Sequence, residues 1–261
     1  MVQNSFFPLI FKLLQTDLEI FRQTIGGKLI DLFIWIVTMI FVTTYLMPSF
    51  GLTTAYTGFM VASLVASAGL FELYTSVTNL VSDFEGHDMT SYYLTLPMPS
   101  YMVFIEKMIY FTMNTAVLGL TVLPLCKLLA WSTFDLSQFS IIKFSLIYLL
   151  ANIFYAAFTL WITSRVPGLE EIGSVWMRFV YPVWFLGGFQ YSWKVLYDFS
   201  PTLAYIGLIN PMTYVMEGSR AAILGQEGSL NIWLCCAMLT LFTIVCAWYG
   251  LRQLRKRLDY I

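Results

Sequence analysis

What most constrains this chain is a succession of apolar runs, each long enough to cross a bilayer as a helix. A membrane-spanning helix needs about 20 predominantly apolar residues. Six segments have that length: Leu29 to Met47, Tyr56 to Leu80, Met102 to Leu125, Ile141 to Thr163, Ile172 to Gln190 and Asn231 to Gly250, the fifth interrupted by Arg178 and Pro182. Of the 261 residues 59% are hydrophobic and 11% charged, whereas water-soluble domains carry about 25% charged residues. A soluble globule could not hide so much apolar surface. The expectation is an all-α integral membrane protein forming one domain over 1–261.

Ahead of the first run, Phe6, Ile10, Leu13, Leu14, Leu18 and Phe21 recur at helical spacing, with Lys12, Gln15, Asp17, Glu19 and Arg22 on the other side. That pattern predicts an amphipathic helix over 5–25 lying in the interface, and Gly26-Gly27 then allows a turn into the membrane. No basic region followed by a small-residue cleavage site opens the chain, so no signal peptide is expected. Lysine and arginine are enriched in cytoplasmic loops. Lys12, Arg22 and Lys28 near the start and Arg252, Arg255, Lys256 and Arg257 near the end place both termini in the cytoplasm. An even number of spans agrees, and a bacterial inner membrane is the expected location.

The polar stretch 82–101 separates the second and third spans and is then cytoplasmic. Asp83, Glu85, Gly86, His87 and Asp88 open it, Pro97 and Pro99 close it, and Met89 to Leu96 predicts a short helix at the water interface. The connection SRVPGLEE shares its side; Glu170 and Glu171 there either complement a helix dipole or form a contact surface. On the outer side, 191–229 is too apolar for a free loop and too interrupted by Pro201 and Pro211 for a span. It predicts a re-entrant or interfacial pair of short helices before the last span.

Few residues are candidates for chemistry. Asn210 suits an N-cap, Pro211 the first helical position and Gly225 a left-handed stop, so 210–225 predicts a well-punctuated helix. On it Glu217 and Arg220 lie three apart and can pair, either to fix the hairpin or to gate a substrate. Glu72 sits inside the second span, where an ionised carboxylate costs a few kcal/mol. It must face a partner helix, or a wet path shared with Phe71 and Tyr74. The four cysteines lie in apolar surroundings without metal spacing, His87 is alone, and no phosphate loop GxxxxGK[ST] exists. No catalytic or metal-binding residue is expected, nor a nucleic-acid partner, since the net charge is −1.

Several features together resemble the membrane subunits of ABC transporters of the ABC-2 type permease family. They are the amphipathic first helix, six spans, a loop ending in Leu-Thr-Leu-Pro at Leu94 to Pro97, Glu106-Lys107 in the third span, and Asn210, Pro211, Glu217 and Arg220 before the last span. The Pro-Gly-Leu-Glu-Glu connection is similar to the glycan-exporting branch. The resemblance implies an exporter subunit, not an enzyme, that moves a lipid, lipid-linked glycan or drug by alternating access. ATP and Mg would be held by a separate cytoplasmic ATPase subunit, and two permease copies would pair through spans two and five. It places the coupling element at Asp83 to Leu96, with Asp83, Glu85, His87, Asp88, Tyr92, Leu94 and Pro97 facing the ATPase. An intramembrane enzyme would need a polar cluster at membrane depth, and a self-sufficient carrier an inverted repeat and more ionisable residues inside its spans. Neither is visible, and a membrane scaffold is the third alternative.

Overall fold

The computed structural model describes residues 6–51, 55–85, 92–93, 95–96 and 98–258. Among them every regular element is helical. Helix α1 (Phe6–Phe41) continues through a π turn (Val42–Leu46) into Met47–Ser49. Then follow α2 (Ala55–Phe84), α3 (Ser100–Leu129, with a joint at Thr121) and α4 (Ile141–Thr163). Helix α5 covers 172–186 as Ile172–Val175, a π turn Trp176–Val180 and Tyr181–Leu186. The short α6 (Trp193–Phe199), α7 (Pro201–Gly207) and α8 (Pro211–Ile223) precede α9 (Ile232–Leu258).

Five helices, α1 to α4 and α9, are long and apolar enough to cross a membrane. The expected fifth span is not among them. At 1.5 Å per residue α5 is about 22 Å long, short of a hydrocarbon core of roughly 30 Å. It stops because α8 stands across its path: a Cβ on Gly187 would lie 2.4 Å from that of Met212, and Gly188 turns the chain with φ +86°.

A second expectation also fails. Gly26-Gly27 makes no turn; α1 runs through it unbroken, about 54 Å from end to end. The first half of α1 therefore packs along the bundle, with Leu13 against Tyr93, Met98 and Val103. Asp17, expected on the water-facing side, is buried.

Helix α4 is the centre of the bundle and touches α2, α3, α8 and α9. Lipid tails are as apolar as leucine, so helices in a membrane associate through close packing rather than by escaping water. Small residues provide it: Gly69 of α2 lies under the ring of Tyr155, Gly218 of α8 against Ile147, and Gly250 of α9 against the backbone at Leu160 and Trp161. Tyr155 is itself fixed, its hydroxyl donating to the Ala66 carbonyl at 2.6 Å. A Cβ on Gly69 would sit 2.3 Å from that locked ring. Gly69→Ala is therefore expected to destabilise the bundle by about 1–3 kcal/mol through overpacking. An unchanged melting temperature in detergent would mean that α2 and α4 are not this close.

Two groups of connections mark the ends of the bundle. At one end Glu85, just past α2, accepts a hydrogen bond from the Leu169 backbone at 3.0 Å, joining the 82–101 and 164–171 connections. The last turns of α9 arrive at the same end, where Leu254 packs with Phe104 and Leu160. At the other end the Ser140 N–H donates to the Ala222 carbonyl at 3.0 Å, closing the 130–140 loop over the end of α8.

Candidate functional site

Three polar constellations lie inside this apolar bundle. The first is built on α8, whose residues from Met212 to Ile223 are all buried. Its start is punctuated as its sequence predicts: the Asn210 side chain accepts from the Met212 N–H at 2.9 Å and donates to the Val183 carbonyl at 2.7 Å, Pro211 follows, and Gly225 beyond the end has φ +99°. Arg220, 2% exposed, donates to Glu217 at 3.0 Å, to Ser63 Oγ of α2 at 2.7 Å, to the carbonyls of Phe189 at 3.3 Å and Tyr191 at 3.2 Å, and to that of Gly188. Its guanidinium also covers the ring of Phe59 at 3.8 Å.

The last carbonyls of a helix have no partner within it, and the chain leaves α5 through the buried residues Gly187, Gly188 and Phe189. The last carbonyls of α5 itself are met by the Gly187 and Gly188 N–H groups, Asn210 and the Tyr191 hydroxyl. Arg220 supplies the donors for the loop just past that end, at Gly188, Phe189 and Tyr191, where the negative pole of the helix dipole also favours a cation. Glu217 balances the charge and accepts from the N–H groups of Trp193, the first residue of α6, at 2.9 Å and of Leu230, on the connection between α8 and α9, at 3.0 Å. The pair thus satisfies backbone groups of two non-helical connections and of the first turn of α6. Non-helical backbone at membrane depth is tolerated only where protein or enclosed water provides such partners.

The second constellation surrounds Glu72. Its Oε1 accepts from Asn114 Nδ2 of α3 at 2.9 Å and from Lys28 of α1, forming an ion pair across 44 residues of sequence. Lys28, read from sequence only as a marker of orientation, is thus an internal counter-ion. A cavity of about 200 Å³ adjoins the pair and is lined by Trp35, Phe71 and Asp31 among others. Phe71 also lines a second cleft, of about 250 Å³, with Tyr74, Trp176, Tyr181 and Trp184 between α2 and α5. Glu72 and Tyr74 therefore face different spaces, and Phe71 borders both.

The third constellation occupies the end of the bundle near 82–101. Lys107 of α3 meets Asp17 of α1 at 2.5 Å, and Tyr93 donates to the other oxygen of the same carboxylate at 3.1 Å. Lys107 also lies over the Tyr93 ring at 4.6 Å. Burial, and after it the charge of Asp17, raises the pKa of the Tyr93 phenol and keeps it a donor. Beside them Glu106 is fully buried and neither of its oxygens has a hydrogen-bond partner; its near neighbour is Lys107 at 3.8 Å. A cavity of about 240 Å³ lined by Asp17, Lys107, Asp83 and Asn79 adjoins the cluster.

Among the residues predicted from sequence to couple to a partner, Asp83 lines that cavity, Glu85 ties the two connections, and Tyr92 is 61% exposed. His87, Asp88, Leu94 and Pro97 lie outside the described residues. Asp17 and Lys107 were not read from sequence as partners. The available signal was Lys107 itself, a cation inside an apolar run that burial obliges to find a counter-charge.

Long apolar helices around buried ion pairs define a helical, multi-pass membrane protein. Compared with protein-family models, curated proteins and solved structures, the chain matches none.

Proposed function

We propose that this chain is the permease subunit of an ATP-driven exporter of the ABC-2 type, carrying an amphipathic substrate outward while a separate cytoplasmic subunit hydrolyses ATP. The observation that carries this reading is the attachment of the polar 82–101 segment to the rest of the bundle. Tyr93 bonds to α1, and through Asp17 and Lys107 to α3; Glu85 bonds to the connection that leads into α5. A force applied at Tyr93 reaches α1 and α3 through these bonds, and one applied at Glu85 reaches the connection into α5. The aromatic cleft between α2 and α5 suits the ring-rich or acyl portion of an amphipathic molecule. Helices α6 to α8 then form the outer re-entrant gate, the termini are cytoplasmic, and a second copy completes the path.

A partner shifts a conformational equilibrium only by binding one state better. The ATPase must therefore read the position of the 82–101 segment. Tyr92 is 61% exposed there. With a photo-crosslinking amino acid at Tyr92, the full chain co-expressed with a phosphate-loop ATPase encoded beside it is expected to crosslink to that subunit. Crosslinks to lipid alone, with no ATPase co-purifying, would overturn the reading.

A further inference from the structure

Arg252, Arg255 and Lys256 on the last turns of α9 line a cavity of about 390 Å³ with Trp248, Leu251 and Tyr101. Cations within the bundle are satisfied internally: Lys28, Lys107 and Arg220 each face a carboxylate, and Lys127 donates to the carbonyls of Trp131 and Phe134. None of Arg252, Arg255 and Lys256 is in an ion pair among the described residues, and no carboxylate lines their cavity. Tyr101 is the second residue of α3, whose first turn carries no acidic residue. The positive pole of that helix dipole therefore adds to the three charges. The remaining walls are apolar, with Trp248 54% and Tyr101 42% exposed, and the Arg252 guanidinium lies 5.5 Å from the centre of the Trp248 ring.

Basic residues at a helix C-terminus complement its dipole and mark the cytoplasmic side, and those roles require only that the charges be present. They require neither a shared cavity nor an aromatic wall beside it. A site that joins unpaired cations to exposed aromatic rings at the end of a spanning helix matches a molecule with an anionic head and an apolar body. We propose that this cavity binds the phosphate-bearing headgroup of an anionic phospholipid, with the acyl chain laid against Trp248 and Leu251. The inference stands apart from the transport reading and needs no ATPase.

Native mass spectrometry of the full chain released from detergent micelles tests it, using phosphatidylglycerol and phosphatidylcholine with identical acyl chains. Phosphatidylglycerol is expected to be retained in preference. Each of R252Q, R255Q and K256Q should weaken it about fivefold and the triple variant about a hundredfold, as expected for interfacial cations near an anionic headgroup. All three side chains are exposed, so the variants should melt like the parent before lipid is added. If the triple variant melts lower, the single variants decide by their own fivefold losses. Equal retention of the two lipids, or unchanged phosphatidylglycerol binding in the variants, overturns the proposal. Full displacement of the lipid by millimolar inorganic phosphate would also overturn it, by assigning the cavity to a soluble anion.

Discussion

Arg220→Met is expected to remove the folded, monodisperse protein from detergent extracts, or to lower its melting temperature by ten degrees or more. The substitution keeps the volume apolar and leaves Glu217 as an unpaired buried charge, and breaking one side of such a pair costs about 3–5 kcal/mol. It also strips the donors from the Gly188, Phe189 and Tyr191 carbonyls, and an orphaned buried acceptor costs about 1–3 kcal/mol. Arg220→Lys should recover only part of the loss, because one ammonium cannot reach Glu217, Ser63 and those carbonyls at once. Glu217→Gln in the Arg220→Met background should cost less than the sum of the two single changes, since the second removes the charge stranded by the first. A melting curve for Arg220→Met that overlays the parent's would show that the loop after α5 does not depend on Arg220.

The second large effect is expected at the other end of the bundle. Asp17→Asn removes the carboxylate that bonds Lys107 and leaves it buried with only Glu106, 3.8 Å away and not hydrogen-bonded, as counter-charge, at a cost of up to about 3–5 kcal/mol. Adding Lys107→Met should return much of it, because exchanging both partners for neutral groups of similar size is far less costly than removing one. The local readout is protease cleavage within 82–101, which the Asp17 variant should accelerate because Tyr93 loses its charged acceptor. In the assembled ATPase complex, if the proposed function holds, the same variant should hydrolyse ATP while exporting substrate at least tenfold more slowly. Equal protease resistance in parent and variant would separate Tyr93 from the cluster and remove the physical basis for force transfer.

The local features of the chain were legible because they depend on neighbours in sequence. Apolar runs mark the helices. Asn210, Pro211 and Gly225 bound α8, since a cap, a missing N–H and a positive φ are satisfied within a few residues. Pro182 misled little; the end of α5 came instead from Gly187 meeting Met212, a contact between separate elements. Gly26-Gly27 was misread for a related reason. Glycine permits a turn without requiring one, and here the packing of Leu13 and the pairing of Asp17 hold the helix straight through it.

By itself, then, the amino-acid order determined that this is a helical membrane protein, where most of its helices run, and that Glu217 and Arg220 share a face. Only the tertiary structure decided what those charges do: Arg220 holds the loop that follows α5 and reaches Ser63, 157 residues away, while Glu72 answers Lys28 and Asp17 answers Lys107. The physical reason is that hydropathy and capping sum over adjacent residues. A buried charge demands some opposite charge, but the one it finds is set by the rotation and height at which two helices pack.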